Sequence, residues 1–593
     1  MPLTRLLVLA CLLAACGRLC AANAAFDAWV DDFSAEWMRA DPMGATEAQY
    51  FEGAEQDALD RLLTPNTAAA RAASIARARD GLARLGQFER SSLSPTQRVS
   101  ADMLAWQLDT IVRSEPFADH DFVFNQFWGQ QVNLVNFLSR THPIRNRRDI
   151  ENYLARLDLA AAYIDEGVVQ ARERGERGFL PPRFILTATL GQFDRFLAEA
   201  PASNVLVASL DERIAQVEGL SGEDRAAWVA AAEKTVRTAI IPAFQRARAL
   251  LESQLPASTD AAGLSRLPNG DQAYAAALRQ YTTTDLTAAQ IHAIGLEEVA
   301  RIETKMDGLF RQLGYHDGSI KDRYQQLNLD SQPPADPDPR PALIARYEAI
   351  LADAVKRAEP LFDLRPAAPC VVKRVPAFTE KNSSAHYTVP ARDGSRPGTF
   401  WAPLPGPVFR ILYMRTLTYH EAIPGHHFQI ALQQEMTDLP RFRRDGIFGF
   451  ISAHGEGWAL YAEQLASEFG WYDGDPHGLI GQLEAELFRA RRLVVDTGLH
   501  AMGWTRQQAI DYGLLPSEVE RYVAIPGQAC SYKIGMLRFL ELREKARQAL
   551  GDRFELKKFH NAVLRAGNVP LAVLETVVDD YIATTRAESA ASS

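Results

Sequence analysis

Tyr419-His420-Glu421-Ala422-Ile423-Pro424-Gly425-His426-His427-Phe428-Gln429 places three imidazoles and one carboxylate within eight residues. Imidazole nitrogen is a ligand that zinc favours, and a carboxylate beside it supplies a general base. In a plain H-E-x-x-H motif the two His lie one helical turn apart on one face, so both reach one metal. Here the fourth position after His420 is Pro424, which cannot ligate. On an unbroken helix His426 points away at ~100° per residue, and His427 lies ~10.5 Å up the axis. The helix must therefore be interrupted. Pro424 removes a backbone donor and Gly425 tolerates unusual dihedrals. A bulge that absorbs two residues returns His426 to the second ligand's place, with His427 as the alternative. The competing reading, in which these His cap a helix or fill a polar core, usually holds for a lone His and is weaker for His-Glu followed by Gly-His-His.

Downstream, Ala453-His454-Gly455-Glu456-Gly457-Trp458-Ala459 opens a second helix. Glu456, between two glycines that leave room for close approach, is the expected third ligand. The alternative is a carboxylate favoured by the helix dipole. Glu463 follows seven residues on and is expected to orient a ligand imidazole. A third helix, over 479–502, carries Arg492, Asp496 and His500 at four-residue spacing on one face. That row is either a surface ion-pair ladder or one wall of a polar cleft. In Pro526-Gly527-Gln528-Ala529-Cys530-Ser531-Tyr532, the phenol of Tyr532 is either a core group or a donor to a developing oxyanion.

Upstream, apolar residues recur at three and four from 26 to 251, as over 67–85, 150–172 and 223–251. Pro242 is expected to kink or split the last of these. A polar, Gly/Pro-punctuated stretch at 253–271 suggests a division into an N-terminal helical region, 25–265, and a catalytic zinc-binding region, 266–593. Helices over 287–313 and 342–358 flank a Pro-rich stretch. Short strands at 370–375 and 385–389 and a turn at 393–398 then precede the His-rich segment. The fold class is mainly α, with a small β element next to the active site.

At the N-terminus, Arg5 precedes an uncharged apolar stretch from Leu6 to Ala15. This reads as an export leader over 1–24, too short to span a bilayer. Leu13-Ala14-Ala15-Cys16 has lipobox form, making Cys16 a lipidated membrane tether, whereas Ala22-Asn23-Ala24 fits an ordinary signal-peptidase site. The expected location is the bacterial envelope, periplasmic or lipid-anchored. Of five cysteines only Cys370 and Cys530 lie beyond the leader, too few for a disulfide scaffold. A formal net charge of -10 argues against nucleic-acid binding, which needs a basic surface.

Together the 393–398 turn, the run from His420 to His427, His454-Gly455-Glu456-Gly457-Trp458-Ala459, the 492–500 segment and the 526–535 segment resemble a bacterial family. It is the one called domain of unknown function 885, grouped with the zincin-type metallopeptidases of the gluzincin kind. The resemblance implies a large helical peptidase with a substrate channel and one zinc ion held by two His and a downstream Glu. Carried over, Glu421 is the general base, and His420, His426 and Glu456 are the ligands. Tyr532 and His500 are candidates for stabilising the tetrahedral intermediate. From the residues themselves, Arg492 and Asp496 are expected, like Glu463, either to orient a ligand or to bind substrate. The chain departs from the clan by two extra residues between the ligand His, which puts the second ligand in question.

The expected activity is zinc-dependent hydrolysis of peptide bonds in short peptides. A metal-dependent hydrolase of a non-peptide amide or ester would use the same residues. A non-catalytic envelope lipoprotein acting as a binding scaffold would have no use for Glu421.

Overall fold

The structure, a computed structural model, describes residues 23–592 except 381, 382 and 393. Most of the leader, with Cys16, and Asp393 of the expected turn lie outside the described residues. The chain is 70% helix and 2% strand. Among the described residues no helix is long and apolar enough to cross a membrane.

Ordinary capping chemistry starts the N-terminal helices. The Thr67 hydroxyl accepts from Ala70 N–H at the head of α1 (Ala68–Leu85), and Ser94 and Gln97 form a reciprocal capping box on α2 (Pro95–Ser114). Asn146 caps the 30-residue α3 (Arg147–Glu176). Over 222–254 the helix is not split at Pro242: it keeps helical dihedrals throughout and widens into a π turn over Val236–Ile240 just before the proline. A π turn of this kind is where a helix absorbs the hydrogen bond that a proline cannot make.

The expected division at residue 265 does not separate the cores. Residues 63–251 supply one apolar cluster of their own. However, Phe26, Phe33, Met103 and Leu108 share a second cluster with Phe400, Trp458, Phe539 and Val578. The first helices of the chain are thus part of the body that carries the His-rich segment.

That body begins with α4 (Gly270–Thr282) and α5 (Ala288–Gln312). A three-stranded sheet follows, of β1 (Cys370–Arg374), β2 (His386–Thr388) and β3 (Gly398–Ala402), in the order β1-β3-β2. β3 runs parallel to β1 and antiparallel to β2, with Phe400 opposite Val372 and Tyr387. It opens at Gly398, where the expected turn ends, and was not itself expected. Cys370 and Cys530 are both free thiols.

Five helices then build the site: α6 (Met414–Glu421), α7 (His426–Glu435), α8 (Ser452–Glu468), α9 (Pro476–Ala501) and α10 (Ser531–Leu550). α8 and α10 cross so closely that a β-carbon on Gly457 would sit 2.6 Å from Gly535 backbone. Beside the crossing Trp458 is fully buried, its ring near those of Phe362, Tyr461 and Phe539. Truncating such a side chain costs about 3–5 kcal/mol. On the far side Lys533, 0% exposed, lies 2.7 Å from Glu486 and 2.8 Å from Glu298, while Arg301 also bonds Glu298 at 2.6 Å. This buried network ties α5, α9 and α10 together, and loss of one partner would leave an uncompensated buried charge.

Candidate metal centre

The break between α6 and α7 is complete rather than a bulge within one helix. Ala422 leaves helical space (φ -112°, ψ -98°), as does Gly425 (φ -80°, ψ -127°), and His426 opens a new helix. The chain folds back so tightly that a β-carbon on Gly425 would lie 1.9 Å from the His420 carbonyl oxygen. Only glycine fits there. The Trp458 indole N–H donates to the Pro424 carbonyl at 2.8 Å and pins the loop to α8.

This return brings the two imidazoles together. The rings of His420 and His426 are 4.8 Å apart and nearly perpendicular, at 84°. The Nε2 atoms of both lie 3.5 Å from Oε2 of Glu456. One ligand atom from each of the three residues falls within 4.8 Å of the others. Glu456 reaches them because its flanking glycines make room: Gly455 lies under the Phe450 ring and Gly457 against Gly535.

Two atoms of this cluster, Glu456 Oε2 and His426 Nδ1, are buried without a hydrogen-bond partner. Buried polar atoms are nearly always paired, so the orphaned carboxylate oxygen facing two imidazoles calls for a cation. The electrostatics agree. Burial alone would lower the His420 pKa, but the neighbouring carboxylates of Glu456 and Glu463 overcome it and raise it to about 10. Burial opposes ionisation of Glu456, yet the imidazoles of His426 and His420 hold it well below the usual carboxylate range. Two nitrogens and a carboxylate are a donor set that suits zinc.

Glu463, buried on α8, accepts a 2.7 Å hydrogen bond from His420 Nδ1, which fixes the ring and turns Nε2 toward Glu456. Arg489 of α9 stands 4.0 Å from the same carboxylate. Glu421, the last residue of α6, is 6% exposed and makes no hydrogen bond or ion pair among the described residues.

Other expected site residues lie elsewhere. Both nitrogens of His427 are engaged away from the cluster: Nδ1 with the Tyr387 hydroxyl at 2.8 Å, and Nε2 with the Ala368 carbonyl at 3.1 Å. Burial lowers its pKa to about 4. It anchors the β element to α7 and is not placed to be the second ligand.

The Arg492-Asp496-His500 row does share one face of α9, but it is neither a surface ladder nor a mutually paired set. His500 is fully buried; its Nδ1 accepts from Leu264 N–H at 3.1 Å and its Nε2 meets the Tyr522 carbonyl at 3.1 Å. With both ring nitrogens engaged it is a structural residue, not placed to be the oxyanion donor expected of it. Asp496 accepts from the Tyr274 hydroxyl at 2.6 Å and from Gly527 N–H at 3.0 Å, and burial raises its pKa to about 7. That engagement makes it a brace for the 526–535 segment rather than a substrate contact.

Arg492 is buried. It donates to the Tyr522 hydroxyl at 3.0 Å and to Glu518 at 3.1 Å, with its guanidinium 4.5 Å from the Tyr532 ring centre. Tyr532 makes no hydrogen bond among the described residues. Its pKa is raised by burial and then by the charge of Glu456. It lines a cleft of about 1150 Å³ between α2, α4 and the head of α10.

Sequence reasoning missed Tyr387, Trp458 in its pinning role, and Arg489. Tyr387 sits on β2 and meets His427 across 40 residues, so nothing in the local pattern marks it. Arg489 carries a readable signal: it precedes Arg492 by one turn on the same helix.

No curated protein matches the chain. A protein of Colwellia psychrerythraea described as a "putative lipoprotein" is 30% identical, with a TM-score of 0.83 over 93% of this chain and 99% of its own. A "putative lipoprotein of unknown function" from Shewanella oneidensis is 19% identical and shares the fold, with a TM-score of 0.69 over 92% of this chain and 98% of its own. The profile of a family described as "Bacterial protein of unknown function (DUF885)" spans residues 42–578, a range that takes in His420, His426 and Glu456. The chain belongs to that family.

Proposed function

We propose that this protein is a zinc-dependent peptidase acting on short peptides. The observation that carries the reading is the convergence of His420, His426 and Glu456, with an orphaned carboxylate oxygen at its centre and Glu421 next in sequence. His420, His426 and Glu456 would hold the ion. Zinc, when bound, supplies Lewis acidity to a carbonyl oxygen and lowers the pKa of a water.

The remaining work belongs to side chains. Glu421 takes the proton of the attacking water and returns it to the leaving amine. Its freedom from hydrogen bonds keeps it available for that exchange. Glu463 holds the His420 ring in the tautomer that leaves Nε2 free. The Tyr532 hydroxyl is available to donate to the oxygen that becomes negative as the carbonyl is attacked. β2 is an edge strand, and its outer side offers backbone groups to an extended peptide.

The test is metal content in the purified mature protein and in His420→Ala, His426→Ala, His427→Ala and Glu456→Ala. One zinc per chain, lost in every variant but His427→Ala, supports the centre. Folded protein that binds no metal in any form refutes it.

The envelope is the proposed location, with Cys16 as the lipidated tether. The lipobox at 13–16 supports this, as does the description of both solved relatives as putative lipoproteins. Mass spectrometry of the membrane-extracted protein should find a diacylglyceryl modification on Cys16. Release as a free chain beginning after Ala24 would refute it.

A further inference from the structure

The cleft that Tyr532 lines has a charge pattern opposite to that of the chain. The chain carries a formal net charge of -10, yet Arg71, Arg113, Arg174, Arg279 and Arg521 line the cleft, against only Glu115 and Asp121. Their ion pairs do not neutralise them one for one. Asp109 is shared by Arg113 at 2.6 Å and Arg279 at 3.0 Å. Glu518 is shared by Arg521 and Arg492, each at 3.1 Å. Asp119 is shared by Arg177 at 2.5 Å and Arg174 at 3.6 Å.

Each shared carboxylate leaves one guanidinium charge over. Arg71 bonds the neutral Gln170 at 3.1 Å and forms no ion pair among the described residues. Glu115 is taken by Arg79, so Asp121 is the carboxylate left against the excess.

The cleft also reaches the helix that carries Glu456. Gln528, in its wall, donates to the Ser452 hydroxyl at 3.3 Å, and the Ser452 and Ser531 hydroxyls are 2.7 Å apart. Ser452 opens the helix that carries Glu456. The charged cleft and the head of that helix therefore abut, and Tyr532, in the same wall, is close enough to Glu456 to feel its charge.

We infer that the cleft selects peptides by a carboxylate, seated among these arginines while the bond to be cut lies beyond Tyr532. A walled cleft of one sign focuses its field and raises the local concentration of the opposite charge, and the guanidinium fork matches a carboxylate. The carboxylate is either the peptide's C-terminus or an acidic side chain. The inference rests on the peptidase reading for its substrate class.

The experiment uses one hexapeptide sequence in four forms: with Glu or with Gln side chains, each as free acid and as C-terminal amide. kcat/KM is measured with the zinc-loaded wild type, and binding is measured by calorimetry on Glu421→Gln. At low ionic strength the carboxylate-bearing forms are expected to lead by about tenfold or more, a lead that shrinks with added salt. Arg71→Gln and Arg113→Gln should each reduce it. A lead lost on amidation assigns the C-terminus; a lead lost with Gln assigns the side chain.

Equal cleavage and binding of all four forms overturns the inference and leaves the peptidase reading standing. Selective binding without cleavage of any form upholds the anionic cleft and overturns the peptidase reading. Neither selective binding nor cleavage overturns both.

Discussion

Gly425→Ala is the sharpest perturbation of the proposed centre. The new β-carbon would lie 1.9 Å from the His420 carbonyl oxygen and 2.4 Å from that of Tyr419. Both contacts are with backbone, so no rotamer relieves them. To reach even 3.0 Å, below which real β-carbon contacts essentially do not occur, the end of α6 and the start of α7 must part by about 1 Å. Overpacking of this kind costs about 1–3 kcal/mol. The larger effect falls on the ligands, because the residue that moves immediately precedes His426. A displaced ligand set is expected to weaken zinc by about 10- to 100-fold, comparable to loss of an outer-shell partner. Chelator competition measures the affinity, and thermal unfolding of the metal-free protein measures the stability separately. Gly308→Ala is the control: it sits inside α5 with nothing within 4 Å of its new β-carbon and should stabilise by about 0.5–1 kcal/mol. Wild-type zinc affinity and an unchanged melting point in Gly425→Ala would refute the argument that this contact sets the ligand geometry.

Glu421→Gln should lower kcat by at least about 100-fold while one zinc per chain remains bound; retained turnover removes Glu421 as the base. Glu463→Gln should weaken zinc by about 10- to 100-fold, and unchanged affinity would show that the 2.7 Å bond to His420 does not orient the ligand. His427→Phe should keep its zinc and lose about 1–3 kcal/mol of stability as Tyr387 and Ala368 lose a partner; loss of zinc instead would make His427 a ligand. Stability should fall as pH drops below 6.5. Burial lowers the pKa of His142 and His560 to about 3 and of His427, His454 and His500 to about 4, so the unfolded chain gains these protons first. Their contribution is complete above 6.5 and is lost toward pH 4; Asp496, still protonated in the fold up to about 7, opposes it by one proton. The net slope is at most about 5 kcal/mol per pH unit near pH 5, and urea midpoints that stay level from pH 7 to 5 would refute it.

Much of the fold was legible because it is written in helical periodicity and capping. The helix expected over 287–313 is Ala288–Gln312, and that over 479–502 is Pro476–Ala501. What escaped depends on pairing across the chain. β3 pairs in parallel with β1 across 28 residues; a five-residue strand opening on Gly398, directly after a turn signal, carries too little period to be read. The Pro424-Gly425 step announced an interruption, but its completeness depends on Trp458, 34 residues on, bonding the Pro424 carbonyl. The common face of Arg492, Asp496 and His500 was also legible, but not what would stand opposite it. Each residue meets a different neighbour, Glu518, Tyr274 or Leu264, and these partners turn a chemically suggestive row into a brace.

The same packing explains how His420 and His426, six residues apart, are held together with Glu456. Every member is held from outside the cluster. His420 is held by Glu463, the loop before His426 by Trp458, and Glu456 by the glycine crossing of α8 on α10. α10 is in turn fixed by Lys533 between Glu486 and Glu298. Because these supports meet the three side chains at their far sides, the core bears the ordering entropy of the cluster. A ligand set preformed in this way should take up zinc without a change in far-ultraviolet circular dichroism. Folding that required the ion would place the cause of the geometry in the metal instead of in the helices.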